Sequence, residues 1–338
     1  MVQPDSQSTP AERALVLQGG GALGAFELGV ARAVYGPKSR FHPDVIAGVS
    51  IGAITVALLG RPANGDPLQT LEAFWREVTV STWVPSAYQP YLSMVGVPNF
   101  YRANPQGLFG ASLYCTDPLR QTLGRLVDLK ALADPAATPR LVVTATNLET
   151  GELATFPSDK AGLTLDHILA SGSLPPSFPA TRIASADYWD GGVFDNTPLG
   201  AVIDMLDGPD RAILVVNLFP NKGTAPANVT EVGQRFLNLL FANKTKSDIA
   251  LMKRFNPVAA LMDELDALPA DSPVKALPGY LAMKAAPPYQ RVPHILEVTR
   301  ERPAEAREGS DFSAAGIKAR AEEGEAAALT ELARTGFI

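Results

Sequence analysis

Short apolar runs that end in turns of small residues mark the N-terminal part of the chain. Residues 14–17 are apolar and lead into three glycines, after which apolar positions recur at helical spacing from Ala22. Residues 45–47 form a second apolar run, which leads through a glycine-containing turn into the apolar stretch 51–59. Strands and helices that alternate along a chain favour a parallel sheet covered by helices. We therefore predict an α/β fold with a mostly parallel central sheet.

The rest of the chain continues this alternation, with two departures. Residues 83–114 combine prolines, glycines and aromatic residues without periodicity, which is typical of a long loop, either a functional lid or binding loop or a packed irregular excursion. Beyond Pro220 the composition shifts, and a proline-rich connection spans 269–288. Further predicted helices cover 68–78, 164–170, 230–265 (interrupted near Pro257) and 313–333. Further predicted strands cover 141–146, 152–156 (in a hairpin with the preceding strand), 212–219 and 294–299.

Composition argues against several classes of function. The 338 residues carry a formal net charge of −6, and a general nucleic-acid binder favours a basic surface instead. Cys115 is the only cysteine, so the chain has no internal disulfide, and this residue cannot build a metal site alone. Three acidic residues, Asp204, Asp207 and Asp210, surround Gly208, but their spacing does not match a calcium-binding loop.

The sequence also bears on location. Residues 1–13 are polar and lack the basic start and apolar run of a secretory signal. The longest nearly unbroken apolar stretch, 47–60, is too short to cross a bilayer. We expect a cytoplasmic protein, and we leave open both peripheral membrane contact and the oligomeric state. One side of the predicted helix 230–265 is apolar and meets either the core or lipid, through Phe236, Leu239, Leu240 and Phe241.

The turn at 48–52 has the spacing expected around a nucleophile. Gly48 and Gly52 flank Ser50 at two residues on each side, between a predicted strand and a predicted helix. A serine on such a turn exposes its hydroxyl at the sheet edge, and the glycines relieve the strained backbone. The N-terminus of the following helix favours a developing alkoxide. We therefore predict that Ser50 is the nucleophile of an acyl transfer reaction.

The first glycine turn admits two interpretations. Gly19, Gly21 and Gly24 match the dinucleotide-binding spacing, and Asp44 follows where a ribose-binding acid is expected. That acid should end the second strand, whereas Asp44 begins it, so a nucleotide-binding oxidoreductase is the weaker alternative. The other interpretation is an oxyanion loop, in which glycine N–H groups bind a developing negative charge.

The general base is either a histidine or a carboxylate. His294, in a late predicted strand, would complete the chain order of a Ser–Asp–His triad esterase and stays the alternative base. His42 precedes a proline and His167 lies among apolar residues, so neither is in a catalytic pattern. Asp190 follows a short aromatic strand and precedes two glycines, where burial would raise its pKa toward a useful basicity.

Together these motifs resemble one family, the patatin-like phospholipases, over about residues 14–220. The resemblance implies a three-layer α/β/α patatin-like fold with a helical C-terminal extension. It also implies a lipid acyl hydrolase that uses a Ser–Asp dyad and an acyl-enzyme, without a metal or an organic cofactor. The stretches that carry it are 19–24, 48–52, 170–175, 178–179, 190–192 and 196–199.

The resemblance further assigns roles to residues. It implies Ser50 as nucleophile, Asp190 as proton acceptor and a lipid or another long-acyl ester as substrate, with a non-catalytic lipid-binding protein as a further alternative. The implied oxyanion loop comprises Gly19, Gly20, Gly21, Ala22 and Gly24, and the supporting motif residues are Gly48, Ile51, Gly52, Gly191 and Gly192. The implied organisation is a flexible N-terminus (1–12), a patatin-like catalytic domain (13–220) and an accessory helical C-terminal region with one strand (221–338).

Overall fold

The computed structural model describes residues 12–80, 88, 92–93, 95–203, 205–206, 211–285, 292–305 and 307–338. Four predictions lie wholly or partly outside the described residues: the flexible N-terminus, the first part of the loop 83–114, the end of the proline-rich connection 269–288, and the cluster of Asp204, Asp207 and Asp210. The described residues form strands β1 (Arg13–Leu17), β2 (Val45–Gly48), β3 (Gly96–Val97), β4 (Tyr101–Ala103), β5 (Tyr114–Cys115), β6 (Arg140–Asn147), β7 (Leu153–Pro157), β8 (Thr181–Ile183), β9 (Ala186–Asp190), β10 (Ala212–Asn217) and β11 (His294–Thr299). Their helices are α1 (Ala25–Val34), α2 (Ile51–Gly60), α3 (Pro67–Glu77), α4 (Asp117–Leu126), α5 (Leu129–Ala133), α6 (Ser158–Ala161), α7 (Leu165–Ser171), α8 (Leu199–Ile203), α9 (Val229–Asp266), α10 (Pro278–Ala285) and α11 (Ala314–Arg334).

The central sheet is mostly parallel, as predicted. Its strands lie in the order β11-β10-β1-β2-β6-β9-β8, and β7 also pairs with β6. The strands from β11 to β6 run parallel, whereas β7, β8 and β9 pair antiparallel. Parallel strands present their carboxyl ends at one edge of a sheet, where ligands usually bind. The turns after β1 and β2 therefore meet at that edge.

Helices cover both faces of the sheet because strand side chains alternate between two apolar layers. Leu15, Leu17 and Ile46 join one layer together with α1, α2 and α11. Val16 and Val45 join the opposite layer together with α8 and α9. Successive side chains of a strand point to opposite faces, which accounts for this alternation. The predicted three-layer α/β/α architecture is confirmed.

The predicted loop 83–114 contains regular structure in its described part. There β3, β4 and β5 form a three-stranded antiparallel sheet. Tyr101 of β4 is buried, and its hydroxyl donates to the Ser93 carbonyl oxygen at 2.7 Å. The Tyr101 ring lies 5.3 Å from the Phe178 ring. The aromatic residues of this segment therefore form a packed wall.

The helix α9 runs without interruption through Pro257, so the predicted break at that residue is wrong. A proline in a helix interior removes a hydrogen bond and typically costs ~3 kcal/mol. Tertiary contacts beside it offset this cost. Asn256 exchanges two hydrogen bonds with the backbone of Val292, at 2.6 and 3.0 Å, and Met252 is buried one turn earlier.

The C-terminal region shares the sheet with the rest of the chain. β11 pairs in parallel with β10, and α11 packs along α1. Two glycines bring these helices very close together. A Cβ at Gly29 would lie 1.9 Å from the Ala321 carbonyl oxygen, and one at Gly324 would lie 2.1 Å from the Phe26 carbonyl oxygen. The domain division at residue 220 stays a prediction.

We expect Gly29→Ala to destabilise the protein by about 1–3 kcal/mol, because the new methyl group meets backbone that cannot rotate away. Denaturant unfolding would measure this loss. A matched control is Gly233→Ala in α9, where a Cβ meets nothing within 4 Å. That change should instead stabilise by roughly 0.5–1 kcal/mol through helix propensity. Equal stability of the two variants would contradict the close packing of α1 on α11.

Candidate active site

Ser50 lies on a sharp turn between β2 and α2. Its φ of 57° falls in the left-handed region, which is costly for a residue with a side chain. The flanking glycines make the turn sterically feasible. A Cβ at Gly48 would lie 2.5 Å from the Gly52 carbonyl group, and one at Gly52 would lie 2.6 Å from the Leu17 carbonyl oxygen. The strand, turn and helix predicted around Ser50 are all present.

A buried neighbour holds the backbone of this turn. The Ser50 N–H lies 3.1 Å from the Ser171 carbonyl oxygen and 3.0 Å from the Ser171 hydroxyl. Ser171 ends α7 and is fully buried. The amide of Ser50 is therefore already hydrogen-bonded and is not available to an oxyanion.

The glycine loop after β1 offers donors for an oxyanion. Gly21 has a φ of 57° and begins a 3-10 turn, with Gly20 at its N-cap. The first N–H groups of a helix have no intrahelical acceptor and are suited to bind an anion. The amides of Gly20, Gly21 and Ala22 have this position. The loop and Ser50 line the same cavity.

Asn196 is a site residue to which sequence reasoning gave no role, although its stretch, 196–199, was part of the resemblance. It is buried, and its carbonyl oxygen accepts from the Gly19 N–H at 3.3 Å. Its Nδ2 donates to the Gly19 carbonyl oxygen at 3.0 Å. Gly19 is thus held by Asn196 and its amide is already used. The absence of a side chain at Gly24 lets Ile51 pack closely against the loop, because a Cβ at this position would lie 2.6 Å from Ile51 Cγ1.

Asp190 ends β9 with a buried carboxyl group. Burial raises its pKa to about 7, while the Ser50 hydroxyl and the Gly192 N–H, which lies 2.8 Å from Oδ1, lower it by less. Oδ2 receives no hydrogen bond of good geometry from the described residues. The Ser50 hydroxyl is nonetheless near enough to interact with this carboxyl group and to lower its pKa. Gly191 packs tightly, since a Cβ there would lie 2.6 Å from the Thr144 carbonyl oxygen.

The register of the sheet brings Asp190 to Ser50. Gly48 of β2 lies beside Val143 of β6, and Ser50 follows two residues later. Ala145, two residues beyond Val143, lies beside Asp190 of β9. Ser50 and Asp190 therefore reach the same height along β6, although β9 runs in the opposite direction. Residues about 140 positions apart in sequence meet in this way.

The alternative base, His294, lies at the other edge of the sheet. It pairs with Ala212 at the amino ends of β10 and β11, whereas Ser50 follows the carboxyl end of β2. The strands run parallel with a rise of about 3.3 Å per residue, so roughly 13 Å of strand separates the two levels. This topology argues against a triad that contains His294.

The other residues weighed from sequence also lie away from Ser50. Asp44 precedes β2, and its carboxylate accepts from the Arg13 N–H at 2.9 Å, at the edge opposite the glycine loop. It therefore cannot act as the ribose-binding acid of a dinucleotide fold. His167 caps α7 in a reciprocal pair with Thr164. His42 is exposed.

A cavity of about 430 Å³ opens over Ser50 and Asp190. Its walls are mainly apolar, which suits an acyl chain. One wall comes from α9 through Leu237 and Phe241. Another wall is an aromatic cluster formed by Phe100, Tyr101, Tyr114, Phe178 and Phe312.

A serine turn, a glycine loop and a buried carboxyl group over an apolar cavity are the parts of an acyl hydrolase. Residues 15–203 match the family described as patatin-like phospholipase. The match spans more than half of the chain, and the chain belongs to this family. Membership supports a lipid acyl hydrolase activity in general terms.

No curated protein matches the chain in sequence. Among solved structures, VipD from Legionella pneumophila is similar, with 15% sequence identity and a TM-score of 0.42. That likeness covers 97% of this chain and 68% of VipD.

We expect Asp190→Asn to stabilise the protein above neutral pH. The native carboxyl group has a pKa of about 7, above its ordinary value of 3.8. The stability that its protonated form contributes is complete below pH ~4 and is lost as the pH rises through 7. An amide removes that loss, so the Tm should increase at pH 8 and change less at pH 5.

The matched control for this measurement is Asp187→Asn. Asp187 lies on the same strand, but its side chain is 43% exposed and pairs with Arg182 at the surface, so little change is expected at either pH. A decrease of equal size for Asp190→Asn at both pH values would contradict the effect of burial on its carboxyl group.

Proposed function

We propose that the protein is a serine acyl hydrolase that cleaves carboxylic esters of lipids, in the manner of a phospholipase A or lysophospholipase. Ser50 is the nucleophile and Asp190 the proton acceptor of a catalytic dyad. The observation that supports this most strongly is the register that brings Ser50 and Asp190 to one height along β6. The amides of the glycine loop line the same cavity.

In the first half of the reaction, Ser50 Oγ attacks the carbonyl carbon of the ester while its proton passes to Asp190. A pKa of about 7 makes Asp190 a stronger base than an ordinary aspartate, and much of it is still ionised at neutral pH. The carbonyl oxygen becomes an oxyanion and accepts hydrogen bonds from the loop amides at 20–22. One such donor contributes ~100-fold or more to the rate.

The tetrahedral intermediate then collapses to an acyl-enzyme. The alcohol leaves with the proton that Asp190 had accepted, and the acyl group stays on Ser50. In the second half Asp190 takes a proton from water, and the resulting hydroxide attacks the acyl carbonyl carbon. Ser50 recovers its proton as the carboxylic acid leaves. Each half thus uses the same base and the same oxyanion donors.

We expect Ser50→Ala and Asp190→Asn each to reduce hydrolysis of a long-chain acyl ester by at least ~1000-fold, because each removes a group that takes part in the covalent step. A fluorophosphonate should label the wild-type protein, and peptide mapping should find the label on Ser50. Ser50→Ala should not be labelled.

The control is His294→Ala, which should keep full activity. If His294→Ala and Ser50→Ala lost ester hydrolysis equally, the result would favour a Ser–Asp–His triad over the dyad. Unlabelled protein that still binds lipid would instead be a non-catalytic lipid-binding protein. Saturable NAD(P) binding without labelling would favour the oxidoreductase.

The proposal includes peripheral contact with a lipid surface through α9. In the described residues, no helix is both long and apolar enough to span a membrane. The first half of α9 exposes apolar side chains on its outer side, while its inner side lines the cavity. The same helix thus joins substrate pocket and solvent, which suits an enzyme that draws its substrate from a lipid aggregate. The exposed residues are Val229, Val232, Phe236 and Leu240.

We expect the double variant Phe236→Ser with Leu240→Ser to bind phospholipid vesicles several-fold more weakly, in a co-sedimentation assay, because it loses apolar area. Hydrolysis of a dissolved short-chain ester should not change. The matched control is Leu251→Ser with Leu261→Ser, which removes equally exposed leucines from the far half of α9. Equal effects of the two double variants would argue against a lipid contact beside the cavity.

A further inference from the structure

A short C-terminal segment, residues 307–312, lies against the glycine loop. The contact is between backbones. A Cβ at Gly21 would lie 2.4 Å from the Gly309 carbonyl oxygen, and one at Gly309 would lie 3.5 Å from the Gly20 carbonyl oxygen. Four residues of this segment also line the cavity over Ser50, namely Arg307, Gly309, Ser310 and Phe312.

Buried ion pairs hold this segment in place. The Arg300 side chain is fully buried, and its Nη2 donates to Glu308 Oε1 at 2.7 Å. Arg320 is also buried, donates to the Asp311 carbonyl oxygen and pairs with the Asp311 carboxylate at 3.6 Å. Breaking such a pair leaves an uncompensated buried charge, which is strongly unfavourable. The residues from Glu308 to Asp311 are therefore firmly attached to the body of the protein.

Arg307 begins this anchored stretch in the left-handed region, with a φ of 71°. The N–H and the hydroxyl of Ser310 both donate to the Arg307 carbonyl oxygen, at 2.9 and 3.0 Å. A residue with a side chain keeps this conformation only where its surroundings determine it. The backbone of Arg307 therefore has a defined position beside the cavity that this residue lines.

Charge is scarce in this cavity. Among the described residues that line it, Asp190 and Arg307 carry the charged side chains. Asp190 is buried beside Ser50, whereas Arg307 is exposed to solvent. Arg307 is thus the one positively charged residue among these lining residues. It lies where the cavity meets solvent, which we call the mouth of the cavity.

We propose that Arg307 binds an acidic group, a phosphate or a carboxylate, on the alcohol portion of the ester substrate. This rests on the proposed function, which places the ester group at Ser50 and the acyl chain between the apolar walls. The alcohol portion then extends toward the mouth and Arg307. A guanidinium group offers two parallel N–H donors to two oxygens of such an anion. A neutral acylglycerol has no group that can use them.

The test compares three esters with the same acyl chain: an acylglycerol phosphate, an acyl ester of a hydroxycarboxylic acid, and a neutral monoacylglycerol. Arg307→Gln should reduce kcat/KM for the two acidic esters about tenfold, mainly through KM, because a charged hydrogen bond is lost. The neutral ester should change less than twofold. Arg307→Lys should lose less activity than Arg307→Gln, since lysine keeps the positive charge but lacks the two parallel N–H donors.

The matched control is Arg334→Gln. Arg334 is another exposed arginine of the C-terminal region, it pairs with Glu331, and it does not line the cavity. This variant should leave unchanged the ratio of kcat/KM for the acidic esters to kcat/KM for the neutral ester. Equal losses on all three esters in Arg307→Gln, or no loss on the acidic ones, would overturn the proposal. A loss for one acidic ester only would identify which anion the site takes.

A binding measurement separates this proposal from the dyad. Calorimetry on Ser50→Ala should show that dodecyl phosphate binds about tenfold more tightly than dodecanol, and that Arg307→Gln in the same background removes the difference. Such a result would stand even if no ester were hydrolysed, in which case only the proposed function fails. Inorganic phosphate should bind much more weakly than dodecyl phosphate; equal binding would overturn the assignment to a lipid.

Discussion

The geometry of the site depends on the close approach of the Ser50 turn to the end of β1. The Gly52 backbone lies so near the Leu17 carbonyl oxygen that no side chain fits between them. The Val49 N–H also donates to the Leu17 carbonyl oxygen at 3.4 Å. Because β1 and β2 are parallel neighbours, this contact sets the glycine loop and the serine turn side by side. The proposed nucleophile and the proposed oxyanion donors thus acquire their separation from backbone packing.

The proposed function depends on two groups that make the fold less stable. Ser50 has a left-handed backbone, and Asp190 has a buried carboxyl group. Both features oppose folding by amounts of the order of a few kcal/mol. The two apolar layers around the sheet offset them, since burying one large apolar side chain stabilises by about 1.5–3 kcal/mol. A rigid sheet with many such side chains can therefore hold a strained turn and a raised pKa together.

Sequence reasoning predicted what local chemistry dictates. The glycine spacing around Ser50, the apolar runs of β1 and β2, and the hairpin of β6 with β7 all follow from residues close together in the chain. The loop 19–24 was ambiguous on spacing alone, and the position of Asp44 decided between its two interpretations. In each of these cases the relevant contacts are within one turn or between neighbouring strands.

Features that depend on distant pairing were not predictable in this way. The antiparallel register of β9, which brings Asp190 to Ser50, cannot be derived from an aromatic pair followed by two glycines. Asn196 acquires a role only because its chain crosses the glycine loop. Pro257 indicated a helix break, but hydrogen bonds between Asn256 and Val292 outweigh that local preference. Tertiary contacts determine the register of β9, the role of Asn196 and the continuity of α9, and such contacts leave no recognisable pattern in a single sequence.

The chemistry and the cavity walls come from different parts of the chain. The residues proposed for the covalent steps all lie within 15–203, the region that matches the family. Leu237, Phe241 and Phe312 lie beyond that region and line the same cavity, as does Arg307. A change in these walls alters which ester fits while leaving Ser50, Asp190 and the loop amides in place. Substrate preference can therefore vary through the C-terminal region independently of the reaction itself.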